Sequence, residues 1–220
     1  KISPIAISDI FFDAEAQMPA DETVRLFLEI GQREFLEKGF MRVSLRGVVK
    51  EAGFTLGAFY RHFPTKEALF DALVREAAEG LMDLFKRSQR MFAELPPDEQ
   101  IVAMSSVAGG SFAEMIRYAC DRFDAFKLIF CRSEGTAYAQ YLDQLIETEV
   151  EATHRFIGQL NQSGHPVRDI DPSLVHILST AVFRGIVEIF EHDMPLDNAL
   201  RYAEQLRSFY TAGWERLLGL

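Results

Sequence analysis

The sequence predicts an all-α protein, and three observations carry that expectation. Apolar residues recur at helical spacing from about residue 21 to the C-terminus. No stretch alternates apolar and polar residues between hairpin turns, as a half-buried strand would. Six prolines, at 64, 96, 97, 166, 172 and 195, fall between the periodic stretches and so punctuate helices rather than break them. About nine helices are expected from this layout.

The first helix is expected over 21–38, with Val24, Phe27, Leu28, Phe35 and Leu36 on its apolar stripe and Gly39 ending it. The second opens on Ser44 as N-cap and stops at Gly53, and a short third covers 55–63. Pro64 and Thr65 break and recap the chain, so Lys66 and Glu67 open a long fourth helix reaching about Met91. Further helices are expected over 98–119, 122–133 and 136–162, followed by a turn at Ser163-Gly164-His165-Pro166. Asp171 then caps a helix with Pro172 at its first position, where a missing N–H costs least, running to about His192. The last helix spans 196–218. Residues 1–20 read as an N-terminal extension, native or vector-derived, and a single leading Lys with Asp9 and Asp13 makes a poor signal peptide.

Composition excludes several classes. In 220 residues, 48% are hydrophobic and 25% charged, which suits a globular domain. No run of about 18 uncharged apolar residues stands out, so no transmembrane helix is expected. Cys120 and Cys131 are too few for a disulfide framework and lack metal-ligand spacing, so buried free thiols in a reducing cytoplasm are expected. The charge is unevenly spread. Residues 38–66 hold Lys38, Arg42, Arg46, Lys50, Arg61 and Lys66 against Glu51 alone, a net of +5 in a chain of −10, which leaves −15 elsewhere. A compact basic segment on an acidic body is the footprint of a protein that docks one face on phosphates.

That segment contains two short helices meeting at Gly53, which supplies the positive φ of a tight turn between crossing helices. Leu45, Val48, Val49 and Ala52 form the buried side of the first; Leu56, Phe59 and Phe63 pack the second against it. The candidate DNA-contacting set is Ser44, Thr55, Leu56, Gly57, Ala58, Tyr60, Arg61, His62 and Lys66. Within it, Thr55 offers a hydroxyl and Ala58 a methyl to base edges, whereas Tyr60, His62, Lys66 and the helix start at Ser44 suit phosphates. Gly47, inside the second helix, costs about 1 kcal/mol relative to Ala and either permits close packing or loosens the helix.

Residues 52–69, Ala-Gly-Phe-Thr-Leu-Gly-Ala-Phe-Tyr-Arg-His-Phe-Pro-Thr-Lys-Glu-Ala-Leu, resemble the signature of the TetR family of transcriptional regulators. Tyr60, Phe63, Lys66 and Leu69 all stand in register, and Phe35 to Phe40 with Ser44 extend the likeness to about 21–75. The resemblance implies a three-helix helix-turn-helix head at 21–66 and a helical-bundle body at 67–220 that binds an effector and dimerises. It implies a ligand-responsive regulator, by family habit a repressor, which binds a palindromic operator as a homodimer and needs neither cofactor nor catalytic residue. A small-molecule binding protein of the same fold that has lost DNA binding is the alternative.

The apolar C-terminal pair supports dimerisation independently. Leu174, Ile177, Leu178, Ala181, Val182, Gly185 and Ile189, with Leu206, Phe209, Tyr210 and Trp214, would leave a large exposed patch on a monomer. A two-fold four-helix interface would cover it and match a palindrome. Candidate pocket residues lie between 98 and 162: Met104, Phe112, Met115, Ile116, Phe123, Phe126, Phe130, Tyr138 and Tyr141. Such a lining suits an apolar or aromatic effector. Asp143, Glu147, Glu151 and His154 stand at helical spacing, but the partner half of a di-metal motif is missing, so a solvated acidic face is expected and no metal. No nucleophile elbow, P-loop or dinucleotide turn is recognisable, and an enzyme is not expected.

Overall fold

The computed structural model describes residues 20–164, 167–168 and 170–220, with backbone alone at 20–21 and 105–109. The expected N-terminal extension lies outside the described residues, as do His165 and Pro166 of the expected turn. Among the described residues the chain forms nine α-helices and no strand. They are α1 (Ala20–Lys38), α2 (Leu45–Glu51), α3 (Leu56–His62), α4 (Lys66–Ala93), α5 (Pro97–Asp121), α6 (Phe123–Cys131), α7 (Tyr141–Gln162), α8 (Pro172–Glu191) and α9 (Leu196–Leu218). Short 3₁₀ turns cover Phe40–Arg42 and Ala137–Gln140.

Local chemistry explains the boundaries. Each helix start leaves orphan N–H groups, and short polar side chains satisfy them. Thr55 Oγ1 accepts from the Ala58 N–H at 3.2 Å, Thr65 Oγ1 from Ala68 at 3.1 Å, and Asp171 Oδ1 from Ser173 at 2.8 Å. The helix expected over 136–162 starts later, at Tyr141. Thr136 Oγ1 takes the Tyr138 N–H at 3.1 Å and donates to the Ser133 carbonyl at 2.8 Å, and this local capping winds a 3₁₀ turn first.

The main apolar core runs from the first helix to the ninth, with Phe27, Phe35, Phe59, Phe70, Phe126 and Phe190 all fully buried in it. Smaller clusters form around Leu142, Ile146 and Val187 and around Phe156, Leu160 and Leu218. Helix α4 is its spine and packs on α1, α5, α6 and α7. The approach of α1 to α4 is close at Gly31, where a Cβ would lie 2.8 Å from Leu69 Cδ2. Helix α9 lies along α5, and α8 packs on α6, α7 and α9.

Helix α8 is apolar on more faces than the chain itself covers. Its mean hydropathy reaches 1.5 over a membrane-spanning length, and only 28% of that window is buried. Length and composition alone would suit a transmembrane segment, yet it carries His176, Arg184 and Glu188 and packs within the bundle. Its unburied apolar surface is the feature that needs covering.

Candidate nucleic-acid interface

Helices α2 and α3 cross at a turn that only a residue tolerant of positive φ can make, and Gly53 adopts φ 76°. Its N–H bonds the Lys50 carbonyl at 3.2 Å, and the Phe54 N–H bonds Val49 at 3.1 Å, closing the end of α2. Beneath the turn Phe27 is fully buried, with the rings of Phe54, Phe59 and Phe63 at centroid distances of 5.4, 5.2 and 6.5 Å. This aromatic cluster fixes which side of α3 faces in.

The opposite side faces solvent. Thr55, Gly57, Tyr60 and Arg61 are exposed, the last three at i, i+3 and i+4, so they share one face of α3. A Cβ on Gly57 would meet nothing closer than Thr55 Oγ1 at 3.7 Å. The protein therefore has no internal need for glycine there, despite the cost of about 1 kcal/mol in a helix. Open space on an outward face suits the close approach of something external. Arg46 and Lys50 are exposed on α2, and sequence reasoning counted their charge without assigning them to the site. Their signal was the i, i+4 spacing on the unburied side of α2. Gly47 is exposed too, with Ser44 Cβ 3.8 Å from where its own Cβ would be, so it permits no close packing.

Several expected site residues have other duties. Ala58 is 2% exposed and faces the core, so its methyl is not offered to a base edge. Leu56 packs against the core and only borders the face. The oxygens of Ser44 and Thr55 accept cap hydrogen bonds from Gly47 and Ala58, and His62 is half-buried. Lys66, expected on a phosphate, donates to the carbonyls of Phe40 at 2.8 Å and Val43 at 3.2 Å, with its ammonium 4.1 Å from the Phe40 ring centroid. Two of its three donors are thus spent holding the turn that leads into α2, which makes it first a positioning residue.

The head is also bolted to the body. Arg132, just past α6, donates from Nε to the Leu36 carbonyl at 2.8 Å, and its own carbonyl accepts from Phe40 at 3.0 Å. Gln32 bonds Asp124 at 2.7 Å, and within the body the Tyr138 hydroxyl bonds Asp71 on α4 at 2.8 Å.

In the body most of the expected pocket lining is core. Phe123, Phe126 and Phe130 pack on Phe190 of α8 at 5.1, 6.0 and 5.3 Å, and Ile116 is 5% exposed. Phe112 and Met115 pack against the same core, and Met104 against Phe156 and Leu160. Apolar rings close on each other when nothing polar keeps them apart, which helical spacing alone does not reveal. Of that set Tyr138 and Tyr141 line an open cleft of about 530 Å³. Its other walls are Ala78, Glu79, Met82 and Asp83 of α4 with Ala137 and Gln144, none of them expected from sequence.

The expected dimer residues divide similarly. Ile189 is fully buried inside the chain. Gly185 and Leu206 belong to the crossing of α8 and α9: a Cβ on Gly185 would lie 2.9 Å from Leu206 Cδ2, and the Gly185 carbonyl accepts from Tyr202 at 2.9 Å. The rest stay open. Ile177 is 58% and Phe209 75% exposed, Ala181 is exposed, and Leu174, Leu178, Val182, Tyr210 and Trp214 are half-buried. Asp143, Glu147, Glu151 and His154 are all exposed on α7. Cys120 and Cys131 are free and half-buried rather than buried, and partial burial raises both thiol pKa values.

Comparison with known proteins gives these surfaces a context. Residues 27–73 match the family model described as bacterial regulatory proteins, tetR family. A Haemophilus influenzae protein known as an uncharacterized HTH-type transcriptional regulator is 31% identical over 103 residues, which is 47% of this chain and 46% of that relative. The chain thus matches about half the length of that curated relative. Among solved structures, the TetR family transcriptional regulator PfmR of Thermus thermophilus superposes with a TM-score of 0.53 at 18% identity, covering 83% of this chain and 93% of that one. The transcriptional regulator FadR of Bacillus subtilis, solved in complex with stearoyl-CoA, gives 0.52 at 12% identity, covering 86% and 98%. At such identities these two show a shared fold.

Proposed function

We propose that this chain, whose residues 27–73 belong to the tetR family of bacterial regulatory proteins, is a ligand-responsive transcription regulator that binds a palindromic operator as a homodimer. The observation that carries the reading is the outward face of α3. Thr55, Gly57, Tyr60 and Arg61 stand clear of the core beside the exposed Arg46 and Lys50, in a segment of net +5 on a chain of −10. Helix α3 enters the major groove, Gly57 lets its start approach the bases, and Tyr60, Arg61, Arg46 and Lys50 reach base edges or phosphates. Residues 21–66 act as the DNA-binding head and 67–220 as the sensing and dimerising body. The setting is the cytoplasm, the regulation is repression, and no catalytic step is assigned.

Dimerisation follows from the open apolar faces of α8 and α9, which a second copy covers in a two-fold contact. Charge placed at its centre should split the dimer. Ile177→Glu with Phe209→Glu is expected to sediment as a monomer with unchanged circular dichroism, because both side chains are exposed in the single chain. A dimer that persists in this variant would exclude the α8–α9 contact.

The response to ligand is a population shift: an effector in the body favours a dimer whose two α3 helices no longer fit successive major grooves. The bonds from Arg132 to Leu36 and from Gln32 to Asp124 are the mechanical link, since both join body segments to α1. A salt titration of duplex binding tests the regulator. Micromolar or tighter binding should fall steeply with salt, in proportion to the phosphates neutralised, and Arg46→Ala with Lys50→Ala should flatten the log–log slope by about 2 per protomer. Feeble, salt-insensitive binding by the unmodified protein would leave only a small-molecule binding role.

A further inference from the structure

We propose that the cleft between α4 and the segment entering α7 binds an amphipathic organic cation. The inference rests on the regulator reading above and assigns a chemical class to its effector. The volume of about 530 Å³ lies within the range of small-molecule sites.

Its lining is chemically one-sided. Glu79 and Asp83 stand one turn apart on α4, both exposed, and no basic side chain lines the cleft. Among the described residues neither carboxylate forms an ion pair. Arg75, one turn before Glu79, is paired with Asp71, while Lys86 and Arg87 lie further along α4 outside the lining. On the facing helix, Glu147 and Glu151 follow the lining residue Gln144 at +3 and +7, on the same side of α7, and both are exposed. The acidic stripe that made no metal motif therefore lies on the cleft side of α7, beyond the lining residues. Like charges at i, i+4 repel each other on a helix, and a bound cation would relieve that repulsion.

The remaining walls suit an apolar body. Met82, Ala78 and Ala137 supply aliphatic surface. Both tyrosine hydroxyls are engaged internally, Tyr138 with Asp71 at 2.8 Å and Tyr141 with the Ala78 carbonyl at 2.7 Å. Tyr141 is 5% exposed and packs on Phe130, so the half-buried Tyr138 ring is the aromatic surface left to a ligand, and ring faces attract cations. An anion would instead meet two uncompensated carboxylates. The apolar or aromatic effector expected from sequence becomes an apolar or aromatic cation. Its position also fits a switch: Tyr138 is both a cleft wall and the bond to α4, so an occupant that spreads the walls loads that bond directly.

The test is calorimetric titration of the full chain, without DNA, by tetraphenylphosphonium and by tetraphenylborate. These ions have the same shape and opposite charge. Phosphonium is expected to bind saturably and the borate at least about tenfold more weakly, the factor that about 1.4 kcal/mol of charge discrimination gives. Glu79→Gln with Asp83→Asn should weaken phosphonium by a similar factor, with circular dichroism and duplex affinity unchanged. Equal affinity for the two ions, no saturable phosphonium binding, or an unmoved affinity in the double variant would each overturn the assignment. Because DNA is absent, phosphonium binding alongside a failed salt titration would sink the regulator alone, and the reverse outcome would sink only the cation site.

Discussion

Gly57→Gln is expected to lower operator affinity at least about 100-fold, toward the nonspecific level, while leaving the protein as stable as before or slightly more so. The argument joins two facts about one position. Inside the protein nothing needs glycine there, because a Cβ would meet only Thr55 Oγ1 at 3.7 Å, and a better helix former should favour α3. Outside, the residue shares its face with Tyr60 and Arg61, so a long side chain would hold that face away from the groove. Melting temperature and duplex affinity measured on the same preparation should move in opposite directions or only the second should move. Unchanged operator affinity would remove α3 from the interface.

Phe27→Ala should cost about 3–5 kcal/mol, a large part of the total stability of a typical domain. The ring is fully buried and meets Phe54, Phe59 and Phe63, one from the turn, one from α3 and one just beyond it. Its removal opens a cavity under the α2–α3 crossing that neighbouring rings only partly fill. DNA binding should fall with the loss of a fixed crossing, although Phe27 lies on the inner side and touches no ligand. Denaturant unfolding would read the stability loss directly. A change below about 1 kcal/mol would mean the aromatic cluster does not hold the head together.

What could be read ahead of the structure follows the range of the forces involved. Helix ends were legible because caps are local: Ser44, Thr55, Thr65 and Asp171 each bond an N–H two or three residues away. Gly53 was legible because positive φ is a property of one residue. The delayed start of α7 was less so, since Thr136 competes for hydrogen bonds with the helix it precedes.

Site residues fared according to how far away their partners lie. Ala58 and Ile189 carry residue types that suit a surface contact, yet each is turned inward by packing that helical spacing does not report. Lys66 reaches carbonyls 23 and 26 residues back along the chain, so no motif could show that its donors are taken. The aromatic residues of α6 met Phe190 and closed, whereas Glu79 and Asp83, unremarkable on a solvated helix, came to face Tyr138 and Tyr141.

The sequence by itself determined an all-helical chain, the places where most of its helices begin and end, and a basic two-helix unit turning at Gly53. Those features arise from backbone hydrogen bonding, residue conformational preference and the count of charges, all of which act within a few residues. Only the tertiary structure decided which side of α3 is free, that Lys66 holds the turn before α2, and where a ligand-sized space remains. Burial, and the space left after close packing, depend on segments brought together from distant parts of the chain.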